Sequence, residues 1–442
     1  MTGRWRGATV ALAICTVATA TALIAGSTSA ILLLIAVAVA LGSYWWMVTA
    51  EARRPSLTLR SVVVAIAIVL GAAVTTVPRQ SGDIWSYAMY GRIVAVHHAS
   101  PYRHVPDEYP NDPMLRFVSP TWLHTGSVYG PAFVVFAAAV APIGGDSAAR
   151  TRVQYQATAA LAVAGALLLV WRRTRSPGAI AWLGLHPVIG LEIVNGGRND
   201  ALIGLGVLGA ILLVERGKLR TSGVVTGVAA TIKATGALAG AGLAIWTWRR
   251  RGFRRAAIFA AAGSVVVAGA YLAAGGTAAL GPLEHAGTQF SRASFWSHLP
   301  ISSTAAIIAT AAVVAVGLWR YTKDDPALAG VAGPAAFLLA APYVLPGYLG
   351  WVLPGAALLH SRKTARIIAL QATLLVGAYE IFRLRSSGFI ADALTGSTGA
   401  LAPLLGVALL VAYLAPARRR GPDAQGWAND GVFSTSNARS ST

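Results

Sequence analysis

The sequence reads RQSGDIWSYAMYGRIVAVHHASPYRHVPDEYPNDPMLRFVSPTWLHTGSVYGP over residues 79–131, and this polar stretch is the longest interruption in an otherwise apolar chain. It holds four histidines, several Tyr and Trp residues, and the carboxylates Asp83, Asp107, Glu108 and Asp112. Elsewhere the charged residues are mostly arginines at the ends of apolar runs. We therefore expect the chemistry in the polar stretch and interpret the apolar remainder as its scaffold.

The composition excludes a soluble globular domain. The 442 residues are 55% hydrophobic and only 12% charged, with a mean hydropathy of +0.61. Apolar runs of about 17 to 25 residues recur along nearly the whole chain, which is the length that a helix needs to cross a hydrocarbon core of about 30 Å. The sequence predicts an all-α polytopic membrane protein without a large soluble domain.

The net charge of +20 comes from short basic clusters between apolar runs. This pattern is typical of cytoplasmic anchoring and argues against nucleic acid as a partner. Cys15 is the single cysteine and lies in the first apolar run, so no disulfide framework or cysteine metal site is expected within one chain. A second apolar run follows the first almost at once, which favours a retained first helix over a cleaved signal peptide.

The basic residues also orient the chain. Arg4 and Arg6 place the N-terminus in the cytoplasm, because cytoplasmic segments of membrane proteins carry an excess of Lys and Arg. Spans at about 8–26, 29–50 and 61–78 then carry the chain across the membrane three times. The polar stretch is therefore delivered to the external face.

The first loop, residues 79–150, is expected outside and is predicted to contain interfacial or re-entrant helices. If its segment 129–145 crossed the membrane, every later basic cluster would lie outside. A re-entrant segment there, with the next true span at 151–171, places all of them in the cytoplasm. These clusters are Arg172-Arg173-Arg175, Arg216-Lys218-Arg220, Arg249-Arg250-Arg251-Arg254-Arg255, Arg320-Lys323, Arg362-Lys363-Arg366 and Arg418-Arg419-Arg420.

The same sidedness requires residues 219–248 to form two short spans joined by an external turn at 233–236. Such a hairpin is a candidate wall of a protein-enclosed cavity. Two spans flank an external turn at 195–200, and further spans are predicted at about 256–275, 299–319, 328–343, 348–360, 366–382 and 399–415, for roughly fourteen in all. Residues 1–417 then form one polytopic domain, and residues 418–442 are predicted to be a disordered cytoplasmic tail because they are polar and Ser-rich.

Asp83 follows directly on the end of the third predicted span. Carboxylates beside aromatic residues at a membrane surface indicate a sugar or an anion-bearing lipid as the ligand. There Asp83 would act as a general base that takes the proton of an acceptor hydroxyl as it attacks a sugar carbon. The alternative is a helix N-cap, which an Asp at this position also serves.

A second polar cluster precedes the next apolar run. The carboxylate of Asp200 is predicted to bind sugar hydroxyls, position the acceptor or orient a cation. The alternative is that Asn199 or Asp200 caps a helix. Glu192 lies on a predicted span, where an unpaired carboxylate is costly and tends to have a partner. Arg198 is the expected partner.

Lys233 lies deep in the predicted hairpin. It is expected to bind the phosphate of a lipid donor together with Arg198 or Arg292, since a phosphate-bearing lipid needs fixed cations at head-group depth. A snorkelling lysine is the alternative. His285 and His298 are predicted to protonate or hydrogen-bond the leaving phosphate.

Tyr343, Tyr348 and Trp351 lie in a Pro-rich segment and fit either an aromatic belt or a stacking wall for a sugar ring. No Walker loop, HExxH, GxSxG or dinucleotide fingerprint occurs at a usable position, so ATP-driven and redox chemistry lack support. The histidines of the polar stretch have no metal-ligand spacing. We expect no metal and no cofactor.

Motifs from three regions of the chain, in order, carry a family resemblance. They are GDxxSYxxYGR, SPY and YGP in the first loop, HPVIGLEIVNGGRNDALIGLGVL at 186–208, and ERGKLRTSGVVTGVAATIKATGAL at 215–238. Together they resemble the actinobacterial polyprenol-phosphate-mannose-dependent α-mannosyltransferases, which belong to the GT-C class of membrane glycosyltransferases. The resemblance covers about residues 60–360 and implies a GT-C-like fold with a large external first loop.

The resemblance implies an inverting transfer of mannose from a lipid phosphate to a hydroxyl outside the cytoplasm. On this basis Asp83 matches the catalytic carboxylate of the family, Asn199-Asp200 its Asn-Asp pair, and Lys233 the lysine of its short hairpin. This chain has Arg198 where many relatives have His. The substrate-binding residues are predicted to be Tyr87, Tyr90, Arg92, Glu192, Arg198, Asn199, Asp200, Lys233, Arg292, His298, Tyr348 and Trp351. Asp107, Glu108 and Asp112 are left as solvated loop residues.

The predicted partners are a polyprenyl-phosphate sugar donor, a glycan or glycolipid acceptor and membrane lipid. Both termini are expected in the cytoplasm and the active site outside the plasma membrane. Two alternatives stay open: transfer of another lipid-linked sugar such as arabinofuranose or glucose, and a non-enzymatic flippase or exporter of lipid-linked sugars. An exporter would spread polar residues along helix interiors at mid-membrane depth, whereas the polar clusters here gather on one predicted face.

Overall fold

The computed structural model describes residues 7–25, 29–79, 82–282, 289–323, 325–360, 362–384 and 389–415. Arg4, Arg6, His285 and the predicted tail at 418–442 lie outside the described residues. The described residues fold into helices joined by turns, with no strand among them. Their α-helices are α1 (Gly7–Ala25), α2 (Ala30–Arg53), α3 (Leu59–Thr75), α4 (Asp83–Ala95), α5 (Pro131–Gly144), α6 (Ala148–Thr174), α7 (Pro177–Gly184), α8 (Asp200–Glu215), α9 (Leu219–Ile232), α10 (Ala237–Arg251), α11 (Phe253–Ala273), α12 (Ser303–Tyr321), α13 (Pro326–Ala340), α14 (Leu353–Ala356), α15 (Lys363–Phe382) and α16 (Phe389–Leu414).

Seven described helices are long and apolar enough to cross a membrane, judged by length and composition: α1, α2, α6, α11, α12, α15 and α16. The apolar helices α3, α5 and α13 are shorter. Large apolar side chains such as Val265 and Trp319 face outward, which a bilayer accommodates and water does not. This confirms the predicted all-α polytopic membrane fold, whereas the count of about fourteen spans is not confirmed.

The predicted span at 348–360 differs from the structure. The chain there is broken into the 3-10 turn Pro346–Trp351, the short helix α14 and the 3-10 turn Ala357–Leu359. Pro346 and Pro354 interrupt helical hydrogen bonding because proline has no backbone N–H. Most of the segment is buried in protein, where irregular backbone is tolerated at membrane depth.

The first loop carries α4, α5 and three short 3-10 turns at Pro106–Glu108, Leu115–Phe117 and Pro120–Trp122. It has its own apolar core, to which α4 contributes Ile84, Tyr87 and Tyr90, and α5 contributes Phe133. The helix α5 has 14 residues, which is shorter than the ~20 that a spanning helix needs. That length fits a re-entrant or interfacial helix, and this placement stays a prediction.

Asp112 corrects one expectation about the first loop. Its side chain is fully buried, and it accepts hydrogen bonds from Arg92 Nε at 2.8 Å and from the Met114 N–H at 2.9 Å. His97 lies 2.8 Å away on the same carboxylate. The prediction of a solvated Asp112 is therefore wrong, while Asp107 and Glu108 are exposed as expected.

Replacing Asp112 with Asn is expected to destabilise the protein by about 2 kcal/mol, because Arg92 loses its buried counter-charge. Burial is the largest influence on the pKa of Asp112 and raises it, but hydrogen bonds from Arg92, Met114 and His97 lower it by more, so the pKa is below its usual value. The stabilisation is thus present above the unfolded pKa of about 4 and is lost as pH falls through the lower folded value. Unfolding temperatures in detergent should show a gap between wild type and variant at neutral pH that shrinks below about pH 4. Asp107→Asn should show little gap at any pH.

Candidate active site

Asp83 is the first residue of α4, and Gly82 before it occupies the N-cap position without a side-chain cap bond. Asp83 itself is therefore not the N-cap. Its carboxylate lies at the positive end of the helix dipole, which favours a negative charge. Oδ2 accepts a hydrogen bond of 2.7 Å from Arg198 Nη1, and the side chain keeps 23% exposure. The carboxylate is thus oriented by Arg198 and partly exposed.

Arg198 reaches α4 from a turn that follows the π-helical segment Ile189–Val194. Gly197 makes this possible, since its φ of +55° suits glycine and a Cβ there would lie 2.7 Å from Ile84 Cδ1. A Cβ on Gly347 would likewise lie 2.1 Å from Arg198 Cδ. Both glycines leave room for a guanidinium whose side chain is only 1% exposed.

Glu192 is fully buried, so its carboxylate needs a cationic partner, as predicted. Its Oε2 lies 3.9 Å from Arg198 Nη2, which is the pairing expected from sequence but is a long contact. The closer cation is Arg383, whose Nη1 donates to Glu192 Oε1 at 3.0 Å. Sequence reasoning missed Arg383 because the two residues lie 191 positions apart.

Lys233 follows the last residue of α9, in the turn that joins α9 to α10. Its Nζ lies 3.2 Å from Asp200 Oδ1. The Trp351 indole N–H donates to the same carboxylate oxygen. Tyr348 and Trp351 stack with ring centroids 4.8 Å apart and planes 16° apart. Lys233 Nζ lies 3.9 Å from the Tyr348 centroid and 4.9 Å from that of Trp351, within cation–π range. This lysine is anchored inside the protein, so the snorkelling alternative does not describe it.

Asp83, Lys233, Tyr348 and Trp351 line one cavity of about 500 Å³. One face of α12 forms an apolar wall through Ile307, Thr310, Ala311 and Val314, at spacings that repeat once per helical turn. Trp351 is 1% exposed, so the stacked pair is not a lipid-facing belt. The other lining residues are Trp122, Val128, Tyr129, Ala234, Thr235, Leu238, Gln289, Phe337, Pro342, Tyr343 and Leu345.

The remaining predicted residues divide into two groups. Arg198, Glu192 and Asp200 lie directly behind the cavity in the ion pairs described above, and Asn199 accepts a bond of 3.4 Å from the Tyr87 hydroxyl. The second group lies away from the cavity and from these ion pairs. Tyr90 donates to the Thr125 carbonyl, Arg92 binds Asp112, and Arg292 and His298 are exposed on the surface.

The cavity also contains residues that sequence reasoning missed. Tyr129 belongs to the quoted YGP motif, a signal that was not followed. Tyr343 also lines the cavity and shares the predicted aromatic segment with Tyr348 and Trp351. The Tyr343 hydroxyl can donate a hydrogen bond to a ligand in the cavity. Gln289 had no distinguishing pattern.

Within the described part of the chain, no three His, Cys, Asp or Glu side chains are grouped closely enough to hold a metal ion. Three carboxylates (Asp83, Glu192 and Asp200) instead alternate with cationic side chains of Arg198, Arg383 and Lys233. Such a site offers a base, a fixed cation and an aromatic wall. That set suits a ligand with hydroxyls and a phosphate.

Two family models match the chain. The model described as "Alpha-(1->6)-mannopyranosyltransferase, N-terminal domain" matches residues 3–250, and that of glycosyltransferase family 87 matches residues 128–376. Both matched regions include Tyr129, Asp200 and Lys233, and the first also includes Asp83.

Similar proteins include alpha-(1->6)-mannopyranosyltransferase A of Mycobacterium tuberculosis, 29% identical over 352 residues, which cover 70% of this chain and 66% of that protein. The protein of the same name from Corynebacterium glutamicum is 28% identical over 200 residues, or 43% of this chain and 39% of its own length. The chain therefore spans just under two thirds of the first relative. A cryo-EM structure of arabinosyltransferase EmbB from Mycobacterium smegmatis aligns over 86% of this chain and 41% of that chain at 16% identity, with a TM-score of 0.41 that is too low to define a shared fold.

Proposed function

The chain belongs to the alpha-(1->6)-mannopyranosyltransferase family, and on that premise we propose that it is a membrane glycosyltransferase. In this proposal it moves mannose from a polyprenyl-phosphate donor to a hydroxyl of a glycan or glycolipid at the external face of the plasma membrane. The relatives are named as mannosyltransferases. Their names support the sugar, and the cavity supports the chemistry.

One observation carries the proposal: a carboxylate, a cation and a stacked aromatic pair line a cavity with an apolar wall. A polyprenyl-phosphate sugar has three parts that differ in chemistry. Its prenyl chain suits the apolar face of α12, its phosphate suits Lys233, and its sugar ring suits the stacked rings of Tyr348 and Trp351. The placement of Asp83 in the same cavity then brings a base to the sugar end.

The proposed reaction is a single displacement at the anomeric carbon. The acceptor hydroxyl oxygen forms a new bond to that carbon, while the bond from the carbon to the phosphate oxygen breaks and its electron pair leaves with the lipid phosphate. Asp83 takes the hydroxyl proton. Lys233 stabilises the charge that develops on the departing phosphate. Attack from the face opposite the leaving group inverts the anomeric centre, so a β-linked donor gives an α-linked product.

Arg198 has a positioning role in this scheme. Its guanidinium donates one hydrogen bond of 2.7 Å from Nη1 to the Asp83 carboxylate, and Glu192 lies 3.9 Å from its Nη2. The planar, buried guanidinium thus fixes the direction of the Asp83 carboxylate.

A transfer assay separates this proposal from its alternatives. Purified full-length chain in detergent is incubated with a short mannan and radiolabelled polyprenyl-phosphate-mannose, and in parallel with the arabinofuranose and glucose donors. We expect radiolabelled α-mannoside with the mannose donor and at least about tenfold less product with the other two. More product with the arabinofuranose or glucose donor would mean that the enzyme uses that sugar instead of mannose. Flipping of the lipid-linked sugar in liposomes, without any glycoside product, would replace the enzyme by an exporter.

A further inference from the structure

A second cavity, of about 960 Å³, lies at the opposite end of the helices from the candidate active site. The loop that follows α2 forms part of its wall, and α3 leads from this loop towards Asp83. The 17 residues of α3 span about 25 Å at a rise of ~1.5 Å per residue. The helix α15 likewise begins beside the cavity and ends next to Arg383. The two cavities are therefore about one hydrocarbon core apart.

Four segments build this second cavity. They are the last turns of α2, the loop after it, residues 176–182 at and within α7, and the region around the start of α15. The lining residues are Trp45, Met47, Val48, Thr49, Glu51, Ala52, Arg53, Pro55, Ser56, Leu57, Ser176, Pro177, Gly178, Ala181, Trp182, His360 and Arg366. The wall is thus part apolar and part cationic.

The charges in the second cavity leave a positive excess. Glu51 is the single carboxylate of the lining, and it is occupied by the backbone N–H groups of Ser56 at 2.8 Å and Leu57 at 3.1 Å. Arg53 and Arg366 are both exposed, and neither has an ion-pair partner among the residues that the structure describes. Two guanidinium groups therefore face the same concave space without a counter-charge.

The aromatic residues of the lining indicate the depth of the second cavity. Trp45 donates its indole N–H to Thr373, which fixes this ring in place. Tryptophan is enriched where the bilayer meets water, because its ring is apolar and its N–H is polar. From Arg53 inward along α2, the wall becomes apolar through Val48 and Met47 and ends at the ring of Trp45. This order of chemistry follows that of a phospholipid, from charged head group to acyl chain.

We propose that the second cavity binds the phosphate group of an anionic membrane phospholipid, with Arg53 and Arg366 as its counter-ions. Guanidinium groups bind phosphate oxygens through paired hydrogen bonds, and their planar shape suits a phosphodiester. Basic pockets between membrane helices bind anionic head groups by this chemistry. The distance to Asp83 and Lys233 separates this lipid from the glycosyl donor. The inference therefore stands independently of the proposed transfer reaction.

The test is a thermal-unfolding titration of the delipidated full chain in mild detergent. The probes are dioctanoyl phosphatidylglycerol, dioctanoyl phosphatidylcholine and inorganic phosphate. For wild type we expect phosphatidylglycerol to raise the unfolding temperature by about 3 to 5 °C, and phosphatidylcholine to have little effect. In the double variant Arg53→Gln/Arg366→Gln the rise should fall by more than half. The double lysine variant should keep most of it, because the charges remain.

The matched control is Arg254→Gln/Arg255→Gln. These arginines begin α11 at the same end of the helices, are exposed, and do not line the second cavity. The control removes an equal charge, so its phosphatidylglycerol shift should equal that of wild type. Equal losses in both double variants, or an equal shift with phosphatidylcholine, would overturn the proposal. A full shift with inorganic phosphate alone would overturn the lipid as the source. All four residues replaced are surface-exposed, and the unfolding temperature without lipid verifies that each variant is folded.

Discussion

Asp83→Asn is expected to abolish sugar transfer while the folded protein stays in the membrane. The amide cannot take the proton of the acceptor hydroxyl, and general-base catalysis contributes about 10²- to 10⁴-fold to such a step. The amide oxygen still accepts a hydrogen bond from Arg198, so the contact between the turn at Gly197 and the start of α4 is kept. We expect kcat to fall by about three orders of magnitude with little change in the KM for donor.

Asp107→Asn is the matched control for this experiment. Asp107 lies in the same loop with a side chain 38% exposed, and its partner is His124 rather than a cavity residue. The control should retain full transfer. The unfolding temperature of both variants is measured beside activity. Full activity in Asp83→Asn would remove Asp83 from the catalytic role, and a loss of activity explained by unfolding would make it a structural residue.

The second large effect is expected at Lys233. Lys233→Gln removes the cation proposed to face the leaving phosphate, which should lower transfer by about 10²-fold or more. It also leaves Asp200, whose side chain is 1% exposed, without its ammonium partner. A buried carboxylate that loses its counter-charge costs about 3 kcal/mol, so the unfolding temperature should fall as well.

A double variant separates these two consequences. In Lys233→Gln/Asp200→Asn neither charge remains, and an amide at 200 still accepts from the Trp351 indole. We expect the unfolding temperature to return close to that of wild type while transfer stays low. Asp200→Asn alone should show how far transfer depends on the carboxylate. Recovery of transfer in the double variant would mean that Lys233 acts on stability and does not bind the phosphate.

Much of the fold could be predicted because the length of an apolar run carries the information. The runs predicted at 8–26 and 256–275 correspond to Gly7–Ala25 and Phe253–Ala273, with ends that differ by a few residues. The segment predicted at 348–360 could not be assigned in this way. Its composition is apolar, but its prolines and its burial in protein decide its form, and burial is not visible in a local window.

Site residues could be predicted from the sequence where they belong to a motif. Asp83, Lys233 and Trp351 stand in recognisable segments, and the structure places all three in one cavity. Asp112 and Arg383 were misjudged or missed because their surroundings come from distant residues. A carboxylate in a polar loop is predicted to be solvated, and its ion pair with Arg92 is visible only in the folded structure. The roles of Asp83, Lys233 and Trp351 in catalysis or binding stay predictions until the variants are measured.

The apolar wall formed by α12 has a consequence for kinetics. Ile307 lines the cavity and is 44% exposed, and its neighbour Ile308 is 66% exposed, so this wall borders the bilayer. Under the proposed function the donor then arrives by lateral diffusion among the acyl chains rather than from water. Its effective concentration is a mole fraction in two dimensions. Diluting the donor with inert lipid at constant bulk concentration should slow the enzyme, as in surface-dilution kinetics, and an apparent KM has meaning only when the lipid content is stated.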